Sequence, residues 1–303
     1  MTRIGEIRWP QVRSSARIHE VESRSAAPWE RALRHVATLA VGDALDPLPS
    51  VTLHFHPDRL VAGTPILEAI ARDRHYRSQF ETGVSNGGLT AHPGGDRWRW
   101  ESRMFACAYD DAPAAQRPKY GSLNVRRRRV GGSPRFGSAH LRLAPHALER
   151  TTFCYPDSVL EPADFGVATR LSTLVAIALA EHRDALDDYI EAHVHGPLRV
   201  PDDVEAIVLD PCYRGTDIEG AAHALGCPVE CHPGFRLDVA ELRRHPGYRG
   251  PEYVELGLSL ARDGYLDPGI LGAAARTGRH DEQALKRVWN YVARFGTPEL
   301  ARR

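Results

Sequence analysis

The chain has 303 residues, enough for one large domain or two small ones with a sizeable core. Lys plus Arg equals Asp plus Glu at 39 each, so no overall charge advertises a general nucleic-acid or membrane-surface ligand, and any electrostatic footprint must be local. With 26 Gly and 22 Pro, a loop-rich fold with many turns is expected.

Residues 1–25 are polar and rich in Arg, Ser and Glu, which predicts a loosely held arm. No apolar signal core opens the chain, and no run approaches the ~18 apolar residues of a membrane span. Trp29, Leu33, Val36, Leu39 and Ala40 stand at helical spacing and predict a first helix over 28–45. V-T-L-H-F-H at 51–56 predicts a buried strand that stops before Pro57, with His54 and His56 on one face. Thr64-Pro65 reads as an N-cap and N1 proline opening a helix that ends before Gly83. The segment 83–96 is a long Gly/Asn/Pro loop, a kind often functional. Trp98, Trp100 and Phe105 then fit either a strand or a helix start.

Strands are predicted at 117–125, 137–143, 151–155, 189–198 and 204–211, and a long buried helix at 167–188. Further helices are expected at 217–226, ending on Gly226, and near 238–244, 252–263 and 282–294. The whole reads as α+β, in three parts: an N-terminal arm and helix at 1–48, a strand-rich core at 49–212, and a helical C-terminal extension at 213–303.

Two constellations carry chemistry. His54-x-His56-x-Asp58 has the spacing by which metallohydrolases bind zinc or iron at a strand end, but Arg59 follows where a further His is wanted, and a cation there opposes a divalent ion. Cysteines Cys107, Cys154, Cys212, Cys227 and Cys231 are odd in number without a C-x-x-C pair, which predicts reduced thiols and a cytoplasmic setting. Cys227-x3-Cys231-His232 lacks a fourth ligand for structural zinc. No nucleophile elbow, P-loop, dinucleotide glycine motif or helical His-Glu-x-x-His is found.

The second constellation joins separated pieces. Y-I-E-A-H-V-H-G-P-L-R-V-P-D-D-V-E-A-I-V-L resembles the last catalytic strand of ADP-ribosyltransferases, most nearly the DNA-modifying toxin branch, with Glu191 as its glutamate. His56, the helix P-I-L-E-A-I-A and Gly88-Leu89 resemble the family's opening strand, helix and G-L turn, and Tyr120 in P-K-Y-G-S-L-N matches the tyrosine of its His-Tyr-Glu branch. The resemblance covers about 51–210. It implies a split antiparallel sheet with flanking helices, NAD as substrate, Glu191, Tyr120 and His56 as catalytic residues, and His54, Arg59, Gly88 and Asn124 at the NAD-binding site. As a whole chain, H-F-H-P-D-R, S-N-G-G-L-T-A-H-P-G-G-D-R-W-R-W-E and L-K-R-V-W-N-Y-V-A-R-F-G are similar to domain of unknown function 3626, which carries no activity with it.

That chemistry suits the residue types. Cleaving the nicotinamide–ribose bond develops positive charge on the sugar, which a carboxylate stabilises. An imidazole can bond ribose, a tyrosine ring can stack on nicotinamide, and Arg59 can pair with pyrophosphate. Plainer readings stand beside these: Glu191 as an edge carboxylate paired with an arginine, Tyr120 as a core aromatic, and Arg126 to Arg129 as a solvated loop or a local phosphate contact. Three function classes result: an ADP-ribosyltransferase or NAD glycohydrolase with a protein or nucleic-acid acceptor or water, a metal-dependent hydrolase, and a non-enzymatic interaction module.

Overall fold

The computed structural model describes residues 26–83 and 90–301. The β-branched run at 51 forms β1 (Val51–Phe55), which stops short of Pro57 because proline cannot donate to a ladder. The chain then adds β2 (Lys119–Leu123), β3 (Ala139–Leu143), β4 (Thr151–Tyr155), β5 (Asp164–Val167), β6 (Ile190–Val194), β7 (Val204–Leu209) and β8 (Val229–Cys231). These make one mixed eight-stranded sheet in the order β8-β7-β3-β1-β2-β6-β4-β5. Only β7 and β8 run parallel; the other neighbours are antiparallel.

Period two gives the sheet two unlike faces. One carries Leu53, Phe55, Leu141, Phe153, Ile190, Ala192 and Ile207. It is covered by α2 (Ile66–Asp73), α4 (Ser172–Ala180) and α5 (Asp217–His223), forming the largest core. The opposite face is buried but polar: Thr52, His54, Ser122, His140, Thr152, Glu191 and His193. Over the β4–β5 end of this face lie α1 (Pro28–Leu39) and α3 (Asp96–Met104) with Phe105 and Tyr109. A third core forms from α6 (Pro251–Leu260), α7 (Pro268–Arg276) and α8 (Glu282–Phe295). It reaches the sheet through Trp289, whose indole donates to the Pro134 carbonyl at 3.0 Å and meets the His56 ring edge-on at 5.0 Å.

The sheet opens at its centre. β1 and β2 pair only at Val51–Leu123 and Thr52–Ser122, although β1 pairs with β3 from Thr52 to Phe55 and β2 with β6 along all its length. Beyond Thr52 and Ser122 the two strands part. Gly121 sits at this fork, where a Cβ would stand 2.8 Å from the Thr52 carbonyl oxygen, closer than real Cβ contacts allow.

Several expectations need correction. The helix expected at 167–188 is a strand end at Val167 followed by α4, which stops at Ala180. Pro65 is itself the N-cap of α2, and Thr64–Pro65 pairs with Leu60–Val61 in a small hairpin. After residue 212, α5 packs in the main core and β8 adds an unexpected strand to the sheet. No described helix is long and apolar enough to cross a membrane.

Candidate functional site

A cavity of about 160 Å³ lies at the opening between β1 and β2. Its walls bring together His54, His56 and Arg59 from the end of β1, Tyr120 from β2 and Glu191 from β6. Five of the seven residues expected at the site therefore share one cavity. Gly88 lies outside the described residues. Asn124 does not line the cavity; its side chain donates to the Arg128 carbonyl at 2.8 Å and accepts from the Arg128 amide at 3.0 Å, which holds the turn after β2.

Glu191 is placed on the polar face by its register opposite Ser122 on one side and Cys154 on the other. The buried His193 imidazole donates to its Oε1 at 2.9 Å. Burial opposes ionisation of Glu191, but the His193 hydrogen bond and the positive charge of Arg97 outweigh it and hold the carboxyl below its usual range. A buried but charged carboxylate thus faces the cavity.

Tyr120 donates its hydroxyl to Glu101 Oε1 at 2.9 Å. Arg97 lies 4.2 Å over its ring and His193 meets it edge-on at 5.2 Å. Glu101 is wholly buried and takes Arg117 Nη1 at 2.6 Å; burial nonetheless pushes its carboxyl up to about 7, against the pull of Arg117, Tyr120 and Arg97. His56 is half-buried and held neutral, its pKa driven well down by burial and by the positive charges of Arg59 and Lys286. Arg59 has no side-chain hydrogen bond or ion pair among the described residues, so its charge is available at the cavity wall.

Four residues of this site escaped the sequence reading: Arg97, Glu101, Arg117 and Lys119. Arg97 is 5 % exposed, lines the cavity, and leaves Nε and Nη1 without a hydrogen-bond partner among the described residues. Arg97 and Glu101 stand four apart on α3, a spacing that in a sequence reads as a solvated surface pair. Lys119 Nζ donates to the Gly196 carbonyl at 2.9 Å, and burial lowers its pKa to about 8. The one available signal was the density of charge in R-W-R-W-E between aromatic residues.

The His54-x-His56-x-Asp58 spacing does not make a ligand cluster. His54 uses both ring nitrogens, with Nδ1 donating to the Gly137 carbonyl at 3.1 Å and Nε2 accepting from the Ser133 amide at 3.3 Å. Asp58 turns to the Tyr213 hydroxyl at 3.1 Å. His232 likewise spends both nitrogens, on the Ser138 carbonyl and the Gly234 amide, so Cys227, Cys231 and His232 do not converge as a zinc site either. Among the described residues the donors that do converge are those of Cys154, Glu191 and His193, within 4.8 Å of one another. Burial holds the Cys154 thiol far up in its protonated form, and Arg97 sets a positive charge near Glu191. The arrangement is a hydrogen-bonded carboxylate–imidazole pair beside a neutral thiol.

The arginine run is tied inward: Arg126 pairs with Asp188 at 2.7 Å, Arg128 approaches the same carboxylate at 3.9 Å, and Arg127 donates to the Pro47 carbonyl at 3.3 Å.

A profile for proteins of unknown function, DUF3626, matches residues 50–184 and 172–293, and the chain belongs to that family. No curated protein matches it.

Proposed function

We propose that this chain is an NAD-dependent ADP-ribosyltransferase or NAD glycohydrolase, and that the opening between β1 and β2 is its NAD site. The observation that carries the reading is the meeting of Glu191, Tyr120, His56 and Arg59 in one cavity at the place where the central strands part. Residues singled out from three separate segments for a single chemistry share its walls. The parting of two central strands supports an ADP-ribosyltransferase-like split sheet, with the third, mainly helical core as an addition to it.

The reaction places one demand on each residue. The bond from ribose C1′ to the nicotinamide nitrogen breaks, its electron pair neutralises the pyridinium, and positive charge spreads over C1′ and the ring oxygen. Glu191, held ionised, stabilises that charge across the cavity. An acceptor nucleophile or water then bonds to C1′ and gives up its proton. Arg59, without an ion pair among the described residues, supplies a cation for the pyrophosphate, and neutral His56 offers a ring nitrogen to a ribose hydroxyl. Tyr120 offers ring surface for nicotinamide, with Arg97 already on part of it. Arg126 and Arg128 turn to Asp188 and Arg127 to the Pro47 carbonyl, and the acceptor stays open among a protein side chain, a nucleic-acid base and water. Five free cysteines support a reducing, cytoplasmic setting.

Binding tests this reading. NAD should raise the melting temperature of the wild-type chain, and Arg59→Ala should weaken the apparent affinity by about tenfold, the scale of one charge-assisted contact. A melting temperature indifferent to millimolar NAD contradicts it.

A further inference from the structure

Behind Glu191 the polar face of the sheet holds a continuous line of hydrogen bonds. Tyr109 Oη lies 2.6 Å from His195 Nδ1, and His195 Nε2 lies 2.9 Å from Thr152 Oγ1. Thr152 Oγ1 lies 3.3 Å from His193 Nδ1, and His193 Nε2 lies 2.9 Å from Glu191 Oε1. Tyr109, Thr152, His193 and His195 are each 0 % exposed. Phe105 seals them, its ring meeting both imidazoles edge-on at 5.3 and 5.2 Å.

An ionised carboxylate can only accept, so His193 Nε2 must carry the proton. The Thr152 hydroxyl meets the other ring nitrogen: it donates to Nδ1 of a neutral His193 and accepts from Nδ1–H of an imidazolium, and either bond keeps the Nε2 proton on Glu191. His195 and Tyr109 continue the line in the matching sense. Burial drives the His195 pKa well down, aided by His193, Lys119 and Arg150, and keeps the ring neutral. Burial likewise raises the Tyr109 phenol, so it remains a donor.

We propose that Tyr109, His195, Thr152 and His193 form a hydrogen-bond chain that fixes the Glu191 carboxylate in its charged form and in its orientation toward the cavity. His193 and Thr152 are positioning residues, for neither is argued to touch the substrate. The inference rests on Glu191 acting as proposed above, but the chain itself is open to test without activity. Other groups face Glu191 from every side: Arg97 from α3 favours its charge, while Tyr120 from β2, Cys154 from β4, and Tyr189 and Asp157 beside it donate no hydrogen bond to it among the described residues. Among the described residues the chain is therefore the hydrogen-bonded support of that charge from within the sheet.

Thr152→Val keeps the shape of the side chain and removes the hydroxyl that holds His193 Nδ1. His193 is then free to carry its proton on Nδ1 and turn a lone pair toward Glu191, which penalises the carboxylate. Two readouts apply to the folded full chain. In NAD cleavage, the acid limb of kcat/KM should move up by about one pH unit in Thr152→Val and return in Thr152→Ser, which restores the hydroxyl. In ¹³C-carboxyl NMR, with the Glu191 signal identified by its loss in Glu191→Gln, the titration midpoint should move by the same amount and in the same direction. Matching midpoints in wild type and Thr152→Val, with both folded, overturn the chain. If the wild type cleaves no NAD, the proposed reaction fails, and the NMR midpoint still decides the chain: a shift upholds it and no shift overturns it.

Discussion

Gly272 on α7 has no side chain because the Asp58 carboxylate stands where its Cβ would be. The helix approaches the end of β1 closely enough for Asp58, buried, to take the Tyr213 hydroxyl at 3.1 Å. Gly272→Ala must push one of the two away, an overpacking that costs about 1–3 kcal/mol; thermal unfolding should show a lowered midpoint, and an unchanged one would mean that the contact yields freely. Tyr120 permits a finer separation. Its ring lies against Arg97 and its hydroxyl against Glu101, so Tyr120→Phe should leave NAD affinity within about threefold while Tyr120→Ala loses about tenfold, read by titration calorimetry. Equal losses in the two would assign the effect to the hydroxyl. At this scale the sequence was informative about residues whose chemistry is unusual in any setting, such as Glu191 in its strand motif and the pair His54 and His56. It was silent about Arg97 and Glu101, because an Arg and a Glu four apart on a helix look the same on a surface as in an interior.

At the scale of elements, α8 is held at its end by a charged anchor. Arg294 Nε donates to Asp184 Oδ2 at 2.9 Å and Tyr248 donates to Asp184 Oδ1 at 2.8 Å. Burial opposes the charge on Asp184, but Arg294, Tyr248 and the Leu186 amide outweigh it and hold the carboxyl below its usual range. A carboxyl depressed on folding gives stability that is full above its unfolded value near 4 and is lost as pH falls through the folded one. Asp184→Asn should therefore lower the melting temperature at pH 7 and converge with wild type near pH 3. The same aspartate explains a misread element. The apolar run from 167 to 188 looks like one helix, yet α4 ends at Ala180: Glu181 accepts from Tyr155 at 3.0 Å, and Asp184 is turned toward α8. Periodicity shows where a helix is affordable to the chain, whereas its stop was set by partners far away in sequence. Strands β1, β2, β3, β4, β6 and β7 were legible because alternation and β-branching are local. Helix α7, which starts at the Asp267 N-cap and Pro268, was missed, because Gly269 and Gly272 weaken its helical pattern.

The molecule as a whole carries an unusual load of buried imidazole. His54, His140, His195 and His232 are each at least nine-tenths buried, and burial lowers the pKa of all four, that of His54 to about 3. Unfolded, these rings take up protons near 6.5; folded, burial keeps them neutral below that, His54, His140 and His195 well below it. Stability is then full above about pH 6.5 and falls as the pH drops, by about 1.4 kcal/mol per pH unit for each ring that the fold keeps neutral. The melting temperature should decline steeply from pH 6.5 to 5, and a flat profile there would show that the rings accept protons in place. The polar sheet face that buries them is also what brings the cavity residues together, through a parting of β1 from β2 that no local pattern announces. In the proposed reaction Glu191 supplies the charge for breaking the nicotinamide–ribose bond in that cavity, and chromatography of the nicotinamide released from NAD by wild type and by Glu191→Gln measures that role. Wild type should release nicotinamide and the variant at least about a hundredfold less, with NAD still raising its melting temperature; a Glu191→Gln chain that cleaves NAD at the wild-type rate would contradict the role of Glu191.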